Sequence, residues 1–307
     1  MTRGWLVFLL AGGACVPTGA EVGQGGGGAG SGGGPSTRDR LVARALQVAR
    51  CPGSGLDPDV SGVYGVVMET VSTVSGSLPS RQTEVVTRYG VMQLCQDEER
   101  IAGAFILCGF DQSPLVDKAG VCAAELPDDV VVAALPGIQL TGAVDLATGT
   151  VTLDGFEERW GLAAGAALPS EPEGAAEVEA AGLLDQDEDE DPGVTVRGNG
   201  ATPTVAWVAE QTTARISLRV ASPRALTGLT QAERQQTVLG GPAARALRGR
   251  ERAGAQGEIL LIRADGLDGN LRLDANGDGL VQCVELAAWV GDPLPAPRPW
   301  PCQPSPP

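Results

Sequence analysis

Twelve residues near the C-terminal end set oxygen-bearing side chains among small ones: Asp274-Ala275-Asn276-Gly277-Asp278-Gly279-Leu280-Val281-Gln282-Cys283-Val284-Glu285. Asp274, Asn276 and Asp278 stand at alternate positions, so in a tightly curled loop their oxygens converge. A hard cation such as calcium asks for that, since it collects about six to eight oxygen ligands. Gly279 permits the sharp turn that brings the far end of the segment back. A second run, Asp185-Gln186-Asp187-Glu188-Asp189-Glu190-Asp191-Pro192-Gly193, repeats the spacing with Asp185, Asp187, Asp189 and Asp191. It carries Glu190 where a turn glycine is expected. Alternating aspartates of this kind can converge on calcium; the competing reading is a solvated acidic loop.

The first segment resembles the calcium loop of EF-hand proteins at each diagnostic position from Asp274 to Glu285. The resemblance implies side-chain ligation by Asp274, Asn276 and Asp278, and a backbone carbonyl from Leu280. It also implies a water-mediated contact from Gln282 and bidentate closure by Glu285. Val281 is apolar where the family places an apolar residue. Leu286, Trp289 and Val290 fall on one face of an expected exiting helix. Upstream the pattern departs from the family, because Asp265-Gly266-Leu267-Asp268-Gly269-Asn270 reads as a turn rather than a helix. No second complete loop is present in the sequence to pair with it. The expectation is therefore an isolated structural calcium site, with affinity on the order of 0.1–1 mM as in extracellular modules. A turn that binds nothing is the alternative. The Asp185–Asp191 run is in turn similar to aspartate-rich calcium repeats.

Composition narrows the remaining chemistry. With 22 basic and 38 acidic residues the net charge is −16, and histidine does not occur. Ser-His-Asp triads, Cys-His pairs and histidine-ligated metals are thereby excluded on this chain. Nucleic acid is not an expected partner, since phosphate contacts need clustered Lys and Arg. Lys118 is the only lysine and stands in no phosphate-binding motif. No G-x-S-x-G elbow occurs, and no spacing singles out a catalytic carboxylate pair. The reading is of a protein without catalytic activity.

The N-terminal segment, residues 1–20, reads as an export signal. Arg3 is followed by an apolar run from Trp5 to Ala11 and then by Gly12-Gly13-Ala14-Cys15. This resembles the lipobox of bacterial lipoproteins, which implies lipidation at Cys15 and a membrane anchor; Gly12 stands where that family usually has Leu. Cleavage after Ala20 is the alternative, giving a periplasmic or secreted chain instead of an outer-membrane or cell-surface lipoprotein. Residues 21–36 are glycine-rich and suit a flexible tether. Without Cys15, six cysteines remain: Cys51, Cys95, Cys108, Cys122, Cys283 and Cys302. An even number in an exported chain implies three disulfides, out of about 15 formal pairings. Pairing near neighbours gives Cys95–Cys108, Cys51–Cys122 and Cys283–Cys302.

The segment that must position these groups, residues 37–264, reads as one mainly β domain. A short helix is expected over Arg38–Arg50. Val/Thr-rich runs over 60–74, 82–95, 101–110 and 120–123 follow, with a hairpin turning at Ala147-Thr148-Gly149. Further strands are expected over 202–220, 235–239 and 258–264. Ile216, Leu218 and Val220 alternate with Arg215, Ser217 and Arg219, so one face meets a core and the other water. The expected fold is an antiparallel barrel or sandwich, with the acidic stretch 168–193 as an exposed loop. Residues 265–292 carry the calcium loop and a short helix, and 293–307 form a proline-rich tail. The strand pattern is similar in style to lipocalin-like barrels. That likeness implies a second function, carriage of a small apolar ligand, beside calcium binding with a scaffolding role. The sequence names no protein partner.

Overall fold

A period of two governs most of the chain between residues 62 and 263. The computed structural model describes residues 45–47, 55–76, 82–113, 115–116, 122–123, 126–127, 131, 135–170, 183–199, 203–266, 272–274, 280–283 and 285–286. Among these the strands are β1 (Ala45–Gln47), β2 (Gly62–Ser75), β3 (Gln82–Asp97), β4 (Arg100–Gln112) and β5 (Leu115–Val116). Next come β6 (Cys122–Ala123), β7 (Leu126–Pro127), β8 (Ile138–Asp145), β9 (Thr150–Trp160) and β10 (Val194–Asn199). The series ends with β11 (Pro203–Ser222), β12 (Ala225–Gly240), β13 (Glu251–Arg263) and β14 (Leu280–Gln282). One helical turn, α1 (Ala244–Leu247), joins β12 to β13.

The long strands pair antiparallel in the order β2-β3-β4-β8-β9-β11-β12-β13, and β13 returns to β2. The result is a closed up-and-down ring of antiparallel strands, in keeping with the expected barrel or sandwich. Closure gives each of these strands a paired neighbour on both sides. The long strand β11 pairs with β9 over Glu210–Arg219 and with β10 over Pro203–Val208, so β10 continues the wall above the end of β9. Close strand approach needs glycine at several positions, most sharply at Gly228 and Gly257. A Cβ on Gly228 would strike the Ser217 carbonyl, and one on Gly257 would strike that of Glu69. The hairpin at Ala147-Thr148-Gly149 forms as expected. Asp145 accepts bonds from the Ala147 amide at 2.9 Å and the Thr148 hydroxyl at 2.8 Å, and Gly149 takes φ +64°.

Inward side chains stack in rows fixed by the register. Val194, Val208 and Val238 share one row near the end where β10 lies. Beneath it lie Trp160, Glu210 and Gln236, then Glu158, Thr212 and Arg234, then Phe156, Ala214 and Ala232. Toward the opposite end the rows are aliphatic, with Leu153, Ile216, Leu218, Ile259 and Met68 among the buried residues. The lumen is thus filled by side chains, as small barrels commonly are.

One layer of that filling is charged. Arg88 and Glu158 form a two-pronged pair at 3.0 and 3.1 Å, with side chains 2% and 1% exposed. Glu84 accepts from Ser72, Gln112, Arg234 and Arg252, and Arg234 also reaches Glu210 at 2.7 Å. Three arginines and three glutamates therefore neutralise one another inside the barrel. Arg88 also lies over the Phe110 ring, and Arg234 over that of Trp160.

A second apolar cluster sits outside the wall. Val63, Val91, Ala104 and Ile106 point outward from β2, β3 and β4, and Leu273, Val281 and Leu286 cover them. Cys108 on β4 is disulfide-bonded to Cys283. The expected pairs Cys95–Cys108 and Cys283–Cys302 are therefore wrong, because sequence nearness is no guide once the chain closes on itself. Cys95 is disulfide-bonded as well. Cys51 and Cys302 lie outside the described residues, as does the Cys122 side chain. The helix expected over Arg38–Arg50 is also corrected: Ala45–Gln47 is the strand β1, paired with β14 in the register Leu46↔Val281. Pairing to an available edge outweighs the weak helical pattern of so short a segment. The export segment with Cys15, the tether and the proline-rich tail lie outside the described residues. Among the described residues no helix is long and apolar enough to cross a membrane.

Removing one partner of a buried ion pair strands the other charge. Arg88→Ala should therefore cost about 3–5 kcal/mol, whereas the joint change Arg88→Met with Glu158→Leu should cost far less. Urea unfolding of the two proteins checks this; equal losses would mean that the pair is stabilising in its own right.

Candidate metal centre

The acidic loop Asp185–Asp191 is anchored at both ends. Leu184 donates its amide to the Gly161 carbonyl at 3.0 Å, and the Gly161 amide donates to Gln186 Oε1 at 2.6 Å. Gln186 in turn donates its amide to Gly193. Leu183 and Leu168 pack on Leu162, Ala209 and Leu239 outside β11 and β12. The stretch expected to be simply exposed is thus clamped to the wall by its few leucines.

Within the loop, carboxylates organise the backbone. Asp185 accepts from the amides of Asp189 at 3.2 Å and Glu190 at 3.0 Å, and Asp189 accepts from Asp191 at 3.0 Å. Glu190 takes φ +71° and Glu188 φ +60°. Glu190 has therefore adopted the left-handed turn for which a glycine was expected, a conformation L side chains rarely take. Thr195 on β10 fixes the other side: its amide donates to Asp187 Oδ2 at 2.8 Å and its hydroxyl to Asp189 Oδ2 at 2.6 Å.

The outcome is convergence. One carboxylate oxygen each from Asp185, Asp187 and Asp189 lies within 4.8 Å of the other two. Asp187 Oδ1 is buried there without a hydrogen-bond partner. Burial pushes the Asp187 carboxyl above its ordinary range; the Thr195 amide opposes this, and Asp189 and Asp185 add to it. Three carboxylate groups brought to one point form a set that can hold a metal ion. Asp191, expected as a fourth ligand, is not among the converging carboxylates; its amide donates to Asp189.

The segment Asp274–Glu285 is described in part. Asn276 and Asp278 lie outside the described residues, as does the side chain of Leu280. Asp274 is paired with Arg272 at 3.4 Å. Glu285 Oε2 accepts the Gln282 amide at 3.0 Å, and Cys283, Glu285 and Leu286 are helical. Glu285 thus caps the start of the exiting helix, in the way a glutamate three residues on commonly does. Upstream, Asp265 and Arg272 form an antiparallel bridge, and residues 267–271, where the turn is expected, lie outside the described residues.

The charged layer of the lumen escaped the sequence reading. Its signal was there: Glu84 and Arg88 share a face with Val86, Met92 and Leu94 on a strand of period two. Beside that layer the open space is only about 10 Å³, room for about one water. A larger groove of about 750 Å³ lies open on the wall, with Glu157, Thr213, Arg215, Gln231 and Glu233 in its lining. No family model, curated protein or solved structure matches this chain.

The raised pKa of Asp187 has a sign that can be checked. A carboxylate that holds its proton more tightly when folded opposes folding once ionised. Its cost is present at neutral pH and is relieved as pH falls through the raised value toward 3.8. In chelator, Asp187→Asn should melt higher than the parent at pH 7, with the gap shrinking on acidification. A gap independent of pH would contradict this.

Proposed function

We propose that this chain binds calcium as a structural ion, in an exported protein with a binding or scaffolding role. The convergence of carboxylate oxygens from Asp185, Asp187 and Asp189 is the observation that carries the reading. Calcium suits the set better than magnesium, because it accepts irregular oxygen cages, whereas magnesium demands near-octahedral geometry and gives up water reluctantly. The loop Asp274–Glu285 is the second site of the proposal, on its EF-hand-like ligand spacing. Export is supported by the lipobox-like segment ending at Cys15 and by the Cys108–Cys283 bond, since disulfides persist in oxidising compartments. Lipidation at Cys15 would place the barrel on a membrane surface at the end of a glycine-rich leash.

Carriage of a small apolar ligand has no comparable support. The lumen is occupied by packed aliphatic rows and by the charged layer, and the open groove has a mixed lining, with Phe156, Ala214 and Ala232 beside charged side chains.

Calorimetric titration with calcium of the parent, Asp187→Asn, and a third chain carrying Asp274→Ala and Glu285→Ala tests the proposal. Two binding events are expected in the parent and one in each variant. Calcium at a hundredfold excess over Kd should add about 2.7 kcal/mol of stability per site. No heat and no stabilisation at millimolar calcium would overturn the reading.

A further inference from the structure

The seam between β12 and β13 is sewn by backbone along only part of its length. Their ladder stops at the rung Ala232↔Ala255. Beyond it, toward Gly240 and Glu251, β12 pairs with β11 and β13 pairs with β2. Among the described residues no backbone hydrogen bond joins β12 to β13 in that stretch. The β13–β2 register shifts there, between Ala253 and Gln256, and such a bulge bends the strand that carries it. Small residues flank the gap. A Cβ on Gly254 would find one atom within 4 Å, the Ala232 carbonyl oxygen at 3.9 Å.

Side chains bridge this stretch instead. Arg252 on β13 donates to Gln236 on β12 at 3.2 Å. Arg252 and Arg234 of β12 both donate to Glu84 Oε2, at 3.2 and 3.3 Å. The small space beside the charged layer and the open groove on the wall have Ala232 and Arg252 in common. Arg252 therefore stands between solvent and the buried charges, with its side chain only 5% exposed. Trp160 lies in the same row as Gln236, under the Arg234 guanidinium. Its indole Nε1 is buried and has no hydrogen-bond partner among the described residues.

We propose that this half of the β12–β13 seam is a lateral gate, latched by Arg252 on Glu84 and Gln236, through which water and small polar solutes reach the charged layer. Opening it breaks no backbone hydrogen bond between the two strands, whereas parting β2 from β3 would break the ladder from Gly62 to Val74. Local opening is favoured where so little is lost. Arginine and glutamate side chains released from one another are met by the entering water, which an apolar lumen would not offer.

Exchange of the Trp160 indole hydrogen, followed by NMR on the full chain, tests the gate. With no hydrogen bond to break, that hydrogen is protected by exclusion of water alone. Its resonance is assigned by its loss in Trp160→Phe. Arg252→Met should speed its exchange at least about tenfold, with the amides of β2 and β3 unchanged. A cystine staple across the gap, made by Glu233→Cys with Gly254→Cys, should return the rate to the parent value or below. In the unlatched parent sequence the same staple should slow exchange, so the test survives if Arg252→Met fails to fold. An exchange rate indifferent to Arg252→Met would overturn the latch. A rate indifferent to the staple would place the route of water elsewhere and overturn the gate.

Discussion

Glu84 is buried to 1% exposure, and its charge has to be met inside the barrel because closure leaves little room for water. Donors reach it from β2 (Ser72), β4 (Gln112), β12 (Arg234) and β13 (Arg252). This one carboxylate therefore joins five strands, counting its own β3. The junctions matter because the ladder between β12 and β13 runs only from Ala225↔Ile262 to Ala232↔Ala255. Above that point Arg252 bridges to Gln236 and to Glu84 by side chains. A buried charge layer of this kind is not a cheap source of stability. Its directional bonds do favour one arrangement of the strands over a slipped one.

The closure between β13 and β2 is reinforced from outside. After β13 the chain crosses the outer faces of β2, β3 and β4, where Leu273, Val281 and Leu286 cover Val63, Val91 and Ile106. The Cys108–Cys283 bond then locks this strap to β4 across a sequence separation of 175. In chain-entropy accounting so long a loop is worth about 5 kcal/mol. The strap contains the ends of the EF-hand-like segment, and its strand β14 pairs with β1. A calcium ion in that segment would stiffen the element that holds the barrel shut. The loop Asp185–Asp191 is fastened to the wall by leucines and by Thr195. Both proposed ion sites thus lie on accessory segments.

Much of the wall was legible as alternation. The Ile216, Leu218 and Val220 pattern and the turn at Thr148-Gly149 located β11 and the β8–β9 hairpin, because pleat and turn chemistry are local. Strand ends were less legible: Ala225–Gly240 extends well beyond the expected 235–239, since its polar inward residues, Arg234 and Gln236, mimic a solvated face. The charged layer was missed for the same reason. An inward arginine is recognisable only with its partner, and Arg88 finds Glu158 70 residues away. The disulfide failed on the same ground, since closure joins distant chain segments. The acidic run was legible as a ligand spacing. What could not be read was that Glu190 accepts a positive φ and that Thr195 locks two of the aspartates.

The central claim is that three aspartates on the outer side of β10 hold a metal ion. Diffraction from crystals of the chain grown with calcium and soaked in a terbium salt locates the ion directly. The account predicts an anomalous peak within coordination distance of Asp185, Asp187 and Asp189, with Asp187 Oδ1 among the ligands. A peak confined to other acidic groups, with these three carboxylates bound only to protein and water, would contradict it.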